Sequence, residues 1–110
     1  GLQEAAPGFR EIRIKPYLID HFTSMKAEQR TPYGLASSGW TKEGDALTLT
    51  VEIPANTTAE VYVPSAAADK VTESGRALDG RSDLKVAGWD DGYTLVRLGS
   101  GRYEFRSTLK

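Results

Sequence analysis

Leu47-Thr48-Leu49-Thr50-Val51-Glu52-Ile53-Pro54-Ala55-Asn56-Thr57-Thr58-Ala59-Glu60-Val61-Tyr62-Val63-Pro64 is the stretch whose reading decides the fold. Over residues 47–53 every second residue is apolar and those between are Thr or Glu. A period of two is what an extended strand with one buried and one wet face requires, and a helix does not satisfy it. Pro54 has no amide hydrogen for a sheet ladder and ends the strand, Asn56, Thr57 and Thr58 supply a polar loop, and alternation resumes at Ala59, Val61 and Val63 until Pro64. The spacing predicts an antiparallel hairpin with Tyr62 on its outer face.

The same period extends in both directions. Upstream, Ile12 and Ile14 alternate with Arg13 and Lys15 before Pro16, a first strand entered through a corner at Pro7-Gly8-Phe9. Residues 23–40 are expected to hold two strands, with Met25 and Ala27 on one face and a turn at Pro32-Tyr33-Gly34. Glu43-Gly44-Asp45 then turns the chain into the Leu47 strand. Downstream, the run Ala66-Ala67-Ala68 is too short for a helix, Val71–Glu73 reads as a short strand ended by Gly75, and Val86 heads another. Asp91-Gly92 has the residues of a two-residue hairpin turn. Tyr93–Leu98 is expected to meet residues 103–105 in a closing hairpin across Gly99-Ser100-Gly101. Leu95 and Val96 are both apolar, so alternation leaves the register of that strand open. Seven to nine short strands without a helix predict an all-β fold, a two-sheet antiparallel β-sandwich of jelly-roll-like kind, with a barrel as the lesser alternative. No internal repeat or composition shift divides the chain, which is expected to be a single domain over residues 1–110.

Composition narrows the partners. Fourteen basic residues stand interspersed with fifteen acidic ones for a net charge of -1, which provides no field for steering nucleic acid or an anionic membrane. Apolar stretches are strand-length and fall short of the about 20 residues of a membrane helix, as expected of a soluble protein. With no cysteine, disulfides, thiolate metal sites and a cysteine nucleophile are excluded. Gly1 in place of Met is expected of a processed product or fragment, whose address signal would lie upstream, so the compartment is left unknown.

Candidate chemistry is sparse. His21 is the only histidine, and Asp20 beside it on a strand would point to the opposite face, so a Ser-His-Asp relay is not expected. A zinc site would need further ligands. Asp79-Gly80-Arg81-Ser82-Asp83 and Asp90-Asp91 are the only groupings able to gather oxygen ligands for calcium, yet Asp and Gly are also what turns demand. A glycosidase needs two carboxyl groups about 5–10 Å apart, and no spacing selects a pair here. Gly99-Ser100-Gly101 precedes a strand, whereas a phosphate cradle opens a helix. Asn56-Thr57-Thr58 fits a glycosylation sequon but reads as a loop. No catalytic residue, metal or cofactor is expected. Trp40 and Trp89 remain as carbohydrate-binding candidates, because sugars stack on aromatic planes; as large rings among strand residues, both are expected to be buried core fillers.

In this order along the chain, PGFREIRIKP (residues 7–16), TPYG (31–34), Trp40, LTLTVEIPANTTAEVYVP (47–64), V-x-E-x-G (71–75) and LGSGRYEF (98–105) resemble the C-terminal β-sandwich of bacterial α-L-rhamnosidases. Residues 76–91 are the least matched. The resemblance implies an accessory domain that packs on and stabilises an absent upstream (α/α)6 barrel, with residues 1–8 as the linker from it. Inverting hydrolysis of terminal α-L-rhamnose would belong to that barrel, and none of its motifs is present. A large exposed apolar patch is then expected where the barrel is missing. The alternative from another class is a carbohydrate-binding module using exposed aromatics.

Overall fold

The computed structural model describes residues 2–4, 11–18 and 23–110. Among them the chain forms β1 (Leu2–Glu4), β2 (Glu11–Ile14), β3 (Ser24–Thr31), β4 (Gly34–Glu43), β5 (Ala46–Ile53), β6 (Thr58–Pro64), β7 (Val71–Glu73), β8 (Arg76–Ala77), β9 (Leu84–Asp90), β10 (Tyr93–Leu98) and β11 (Gly101–Thr108). A 3-10 turn, Ala68–Lys70, starts at the last residue of the alanine run. The first sheet has the order β1-β2-β6-β10-β9 and the second β3-β4-β5-β11-β7-β8, stacked as a β-sandwich with jelly-roll-like connections. Every pairing is antiparallel except β2 with β6, which is parallel. The eleven strands among the described residues exceed the expected seven to nine because β1 and β8 are three and two residues long, below what alternation can register, whereas β7 is the short strand expected at Val71–Glu73. The Pro7-Gly8-Phe9 corner and Asp20-His21 lie outside the described residues, as does part of the segment read as a linker; Leu2–Glu4 pairs with β2.

Alternation assigns the faces correctly. Ile12, Ile14, Val61, Val63, Val96 and Leu98 of the first sheet meet Trp40, Leu49, Val51 and Phe105 of the second in one buried cluster. Each such side chain contributes roughly 1.5–3 kcal/mol on removal from water. The turns follow their residues as well. Thr31 Oγ1 donates to the Gly34 carbonyl at 2.8 Å and accepts from the Tyr33 amide, which closes β3 and β4 around Pro32-Tyr33. Asp91 (φ 51) and Gly92 (φ 85) both take the left-handed backbone that a tight hairpin between β9 and β10 requires.

Two expected hairpins do not exist. β5 pairs with β4 and β11, whereas β6 pairs with β2 and β10, so Pro54-Ala55-Asn56-Thr57 carries the chain from one sheet to the other. Likewise β10 lies between β6 and β9, and β11 between β5 and β7, so Gly99-Ser100 is a crossing between sheets. Alternation reports which face of a strand is buried and is silent on which edge it bonds; both strands of each expected hairpin have their two edges filled by others. Tyr103 secures the second crossing: its hydroxyl donates to the Gly99 carbonyl at 3.2 Å, and its ring lies 3.5 Å from where a Cβ on Gly101 (φ 139) would sit.

The open register near Leu95 is settled by a β-bulge. Leu95 pairs with Gly88 and Val96 with Val86, so Ala87 is an extra residue on β9. Val96 is fully buried, and Leu95 lies half-buried beside Tyr62 on the outer face, where Tyr62 was expected.

Phe105→Ala should lower unfolding free energy by about 3–5 kcal/mol in urea titration, as loss of a fully buried ring does, whereas Arg102→Ala, outward on the same strand, should stay within about 0.5 kcal/mol. Equal effects would refute the assignment of faces on β11.

Candidate functional site

The two tryptophans part company. Trp40 is 4% exposed, opposite Leu49 on the inner face of β4, and belongs to the core as expected. Trp89 is 47% exposed, against expectation. It stands on β9, the edge strand of the first sheet, opposite Thr94, whose side chain is fully buried. The indole is therefore on the inner side at the rim of the sandwich, where its Nε1 donates to the Ser65 carbonyl at 3.0 Å. Being at a sheet edge, which composition does not reveal, is what leaves it half in water.

Ser65 is the centre of a polar corner that sequence reading missed. Its hydroxyl bonds the Val63 carbonyl at 3.0 Å and lies 2.6 Å from Thr94 Oγ1, while Ser107 Oγ on the second sheet donates to the Pro64 carbonyl at 2.6 Å. These hydroxyls satisfy buried backbone groups where β6 leaves its sheet.

Residues 79–83 do not gather oxygens for a cation. Arg81 reaches from this turn and places Nη2 2.8 Å from Glu73 Oε1 and 2.6 Å from Asp83 Oδ2, with only 8% of its side chain exposed. Glu73 also accepts from Ser74 Oγ and from the Glu104 amide at 3.0 Å. Burial by itself raises the Glu73 carboxyl, but bonds from Ser74, Arg81 and the Glu104 amide, with the charge of Arg81, outweigh it and hold the group below 4.5. Asp83 is lowered by the Arg81 hydrogen bond, and both carboxylates in turn raise Arg81. A separation of eight residues along the chain carries no helix or hairpin signal, so the clamp was invisible to sequence periodicity.

Several recesses mark the surface. One, about 740 Å³, runs over the second sheet and is lined by Ser37, Thr48, Thr50, Glu52, Arg102 and the largely buried Trp40. Another, about 430 Å³, holds Glu11, Glu60 and Asp83 beside Lys85 and Arg97. Glu60 there is within 3.9 Å of both Arg13 and Arg97. A third, about 310 Å³, lies on the first sheet between Lys15, Tyr62, Tyr93, Gly88, Asp90 and Asp91. Among the described residues the exposed large apolar side chains stand at several places: Tyr17 and Met25 line one small recess with Pro16, Tyr33 and Leu35 stand at the β3–β4 turn, and Trp89 is at the rim. Among the described residues no three His, Cys, Asp or Glu side chains converge as metal ligands, and no helix is long and apolar enough to cross a membrane.

Because the folded Glu73 and Asp83 values are depressed, their stabilisation is present above the unperturbed values of 4.5 and 3.8 and is lost as pH falls from these through the folded-state values. Urea titrations across this acid range should show a shallower pH dependence for Glu73→Gln than for the parent sequence; identical slopes would remove the clamp as the cause. Iodide quenching should separate the tryptophans: with Trp89→Phe the remaining emission is shielded, and with Trp40→Phe it is quenched.

A profile of the bacterial α-L-rhamnosidase C-terminal domain matches residues 1–78. An α-L-rhamnosidase of Formosa agariphila is 28% identical over 107 residues, covering 97% of this chain and 12% of that protein. One of Streptomyces avermitilis is 29% identical over 105 residues, covering 96% and 9% respectively. The chain thus spans about a tenth of the length of the curated relatives it matches. In solved structures it is similar to Streptomyces avermitilis α-L-rhamnosidase complexed with L-rhamnose (TM-score 0.84, 26% identity, 97% of this chain and 10% of that one). It is also similar to the α-L-rhamnosidase of Dictyoglumus thermophilum (TM-score 0.82, 25% identity, 98% and 12%). Sequence and fold agree along nearly all of its length, and the chain belongs to the family of bacterial α-L-rhamnosidase C-terminal domains.

Proposed function

We propose that this chain is a non-catalytic accessory domain of an α-L-rhamnosidase-type glycosidase, one that packs on the helical barrel hydrolysing terminal α-L-rhamnose and stabilises it. The observation that carries the reading is proportion: 96–97% of this chain corresponds to only 9–12% of two α-L-rhamnosidases. The carboxyl groups support a non-catalytic role. Glycoside hydrolysis needs an acid whose pKa is raised so that it can protonate the leaving group. Glu73 and Asp83 are displaced downward and locked on Arg81, and Glu60 sits between two arginines. The inner face is filled by the chain's own core, so contact with a barrel would use outer faces and rims, where Tyr17, Met25 and Trp89 stand.

The test is deletion of this segment from the rhamnosidase that carries it. The truncated enzyme should melt several degrees lower and inactivate faster on warming, while kcat per surviving active site on an aryl α-L-rhamnoside stays unchanged. The isolated segment should release no aryl alcohol. Hydrolysis by the segment alone, or an unchanged melting curve on its removal, would overturn the reading.

A further inference from the structure

We propose that the inner side of β3 beside Tyr17 is the surface through which this domain docks on the rest of its enzyme, receiving apolar side chains of the upstream barrel against Tyr17, Met25 and Ala27. The proposal rests on the accessory role and adds to it the face that makes the contact.

A mismatch in strand length creates the surface. β1 and β3 are edge strands of the two sheets and lie close to one another. β1 has three residues and β3 has eight, so β1 cannot cover the inner side of β3 along its length. Met25 lies opposite Trp40 and Ala27 opposite Ser38, both buried, which puts Met25 and Ala27 on the core side of their sheet. Met25 is nonetheless 43% exposed. Pro16 and Tyr17 share with Met25, Ala27 and Trp40 a recess of about 170 Å³ that Lys26 and Ser38 complete. Tyr17 is 58% exposed even with Lys15 Nζ 6.0 Å from its ring centroid. Apolar side chains left in water on the core side of a sheet mark the place where a sandwich's own cover runs out.

The course of the chain identifies the occupant. β1 runs antiparallel to β2 with Leu2 opposite Ile14, so the chain reaches Leu2 from the end of β2 that Lys15, Pro16 and Tyr17 continue. A C-terminal domain has the remainder of its enzyme upstream, and this chain corresponds to only 9–12% of two relatives. On the accessory reading that remainder is tethered beside the recess, at an effective concentration no free partner has. The recess is smaller than the roughly 300–1,000 Å³ of small-molecule sites and takes a side chain rather than a ligand. Met, with its flexible thioether, and Tyr are residues that suit an interface. Trp89 and Leu35 are exposed elsewhere: Trp89 on β9, at the other edge of the first sheet, and Leu35 opposite Arg30 on the outer side of the second.

The experiment is maleimide labelling of the full-length rhamnosidase that carries this segment, in four variants, Met25→Cys, Tyr17→Cys, Leu35→Cys and Trp89→Cys. The segment has no cysteine of its own, and peptide mass spectrometry locates the label. Met25, Leu35 and Trp89 are 43%, 41% and 47% exposed, so without a partner the three positions react alike. Dividing each rate by that of the same variant unfolded in urea removes differences in local reactivity. Met25→Cys and Tyr17→Cys should react at least about tenfold more slowly than the other two, the protection given by a contact that costs about 1.4 kcal/mol to open. Tyr17 is outside the buried core, so Tyr17→Cys serves if Met25→Cys does not fold. Protection of Leu35→Cys or Trp89→Cys in place of these two would overturn the proposal and leave the accessory role standing. Equal labelling at all four would overturn it as well, and the melting curve of the truncated enzyme would then decide the accessory role by itself.

Discussion

Edge saturation is the constraint on which this domain depends. A strand has two hydrogen-bonding edges, and β5, β6, β10 and β11 each have both occupied, at least one of them by a strand distant in sequence. β5 and β6, like β10 and β11, therefore cannot fold onto each other and must part at their shared loop. That parting places consecutive strands on opposite sides of the core, so one loop brings two buried faces into register. The polar cost falls at the corners, where chain leaves a ladder, and there the Ser65, Thr94, Ser107 and Tyr103 hydroxyls bond carbonyls or one another.

How far the sequence could be read follows from what each signal encodes. Period-two burial is a property of one strand and its surroundings, so Leu47, Leu49, Val51, Ile12 and Ile14 announced their faces without error. Local turn chemistry is similarly self-contained, as Asp91-Gly92 and Pro32-Tyr33 show. Edge partners are non-local. A four-residue loop such as the one after Ile53 can close a hairpin or span the roughly 10 Å between stacked sheets, and nothing in its composition distinguishes the two.

The candidate site was legible only in part for a related reason. Trp89 and Trp40 are alike as residues and differ in whether a neighbouring strand lies beyond them. Tyr62 was correctly read as outward, but its partnership with Tyr93 and Lys15 arises from the pairing of β6 with β10 and from the path of the chain after β2. The Glu73–Arg81 clamp likewise joins a strand to a loop that no period links to it. Side-chain chemistry could be listed from the sequence; adjacency had to come from the fold.

The outermost strands have a consequence for life in concentrated solution. An open sandwich offers four lateral ladders to any neighbouring molecule, and a long flat one would invite chains to add on into fibres. Here β1 and β8 are three and two residues long, too brief to template another strand. β9 is interrupted by its bulge, and β3, the longest of the four, sets Lys26, Glu28 and Arg30 along its outer side. These margins offer little to an added strand, which leaves the broad faces of the two sheets as the larger surfaces for contact.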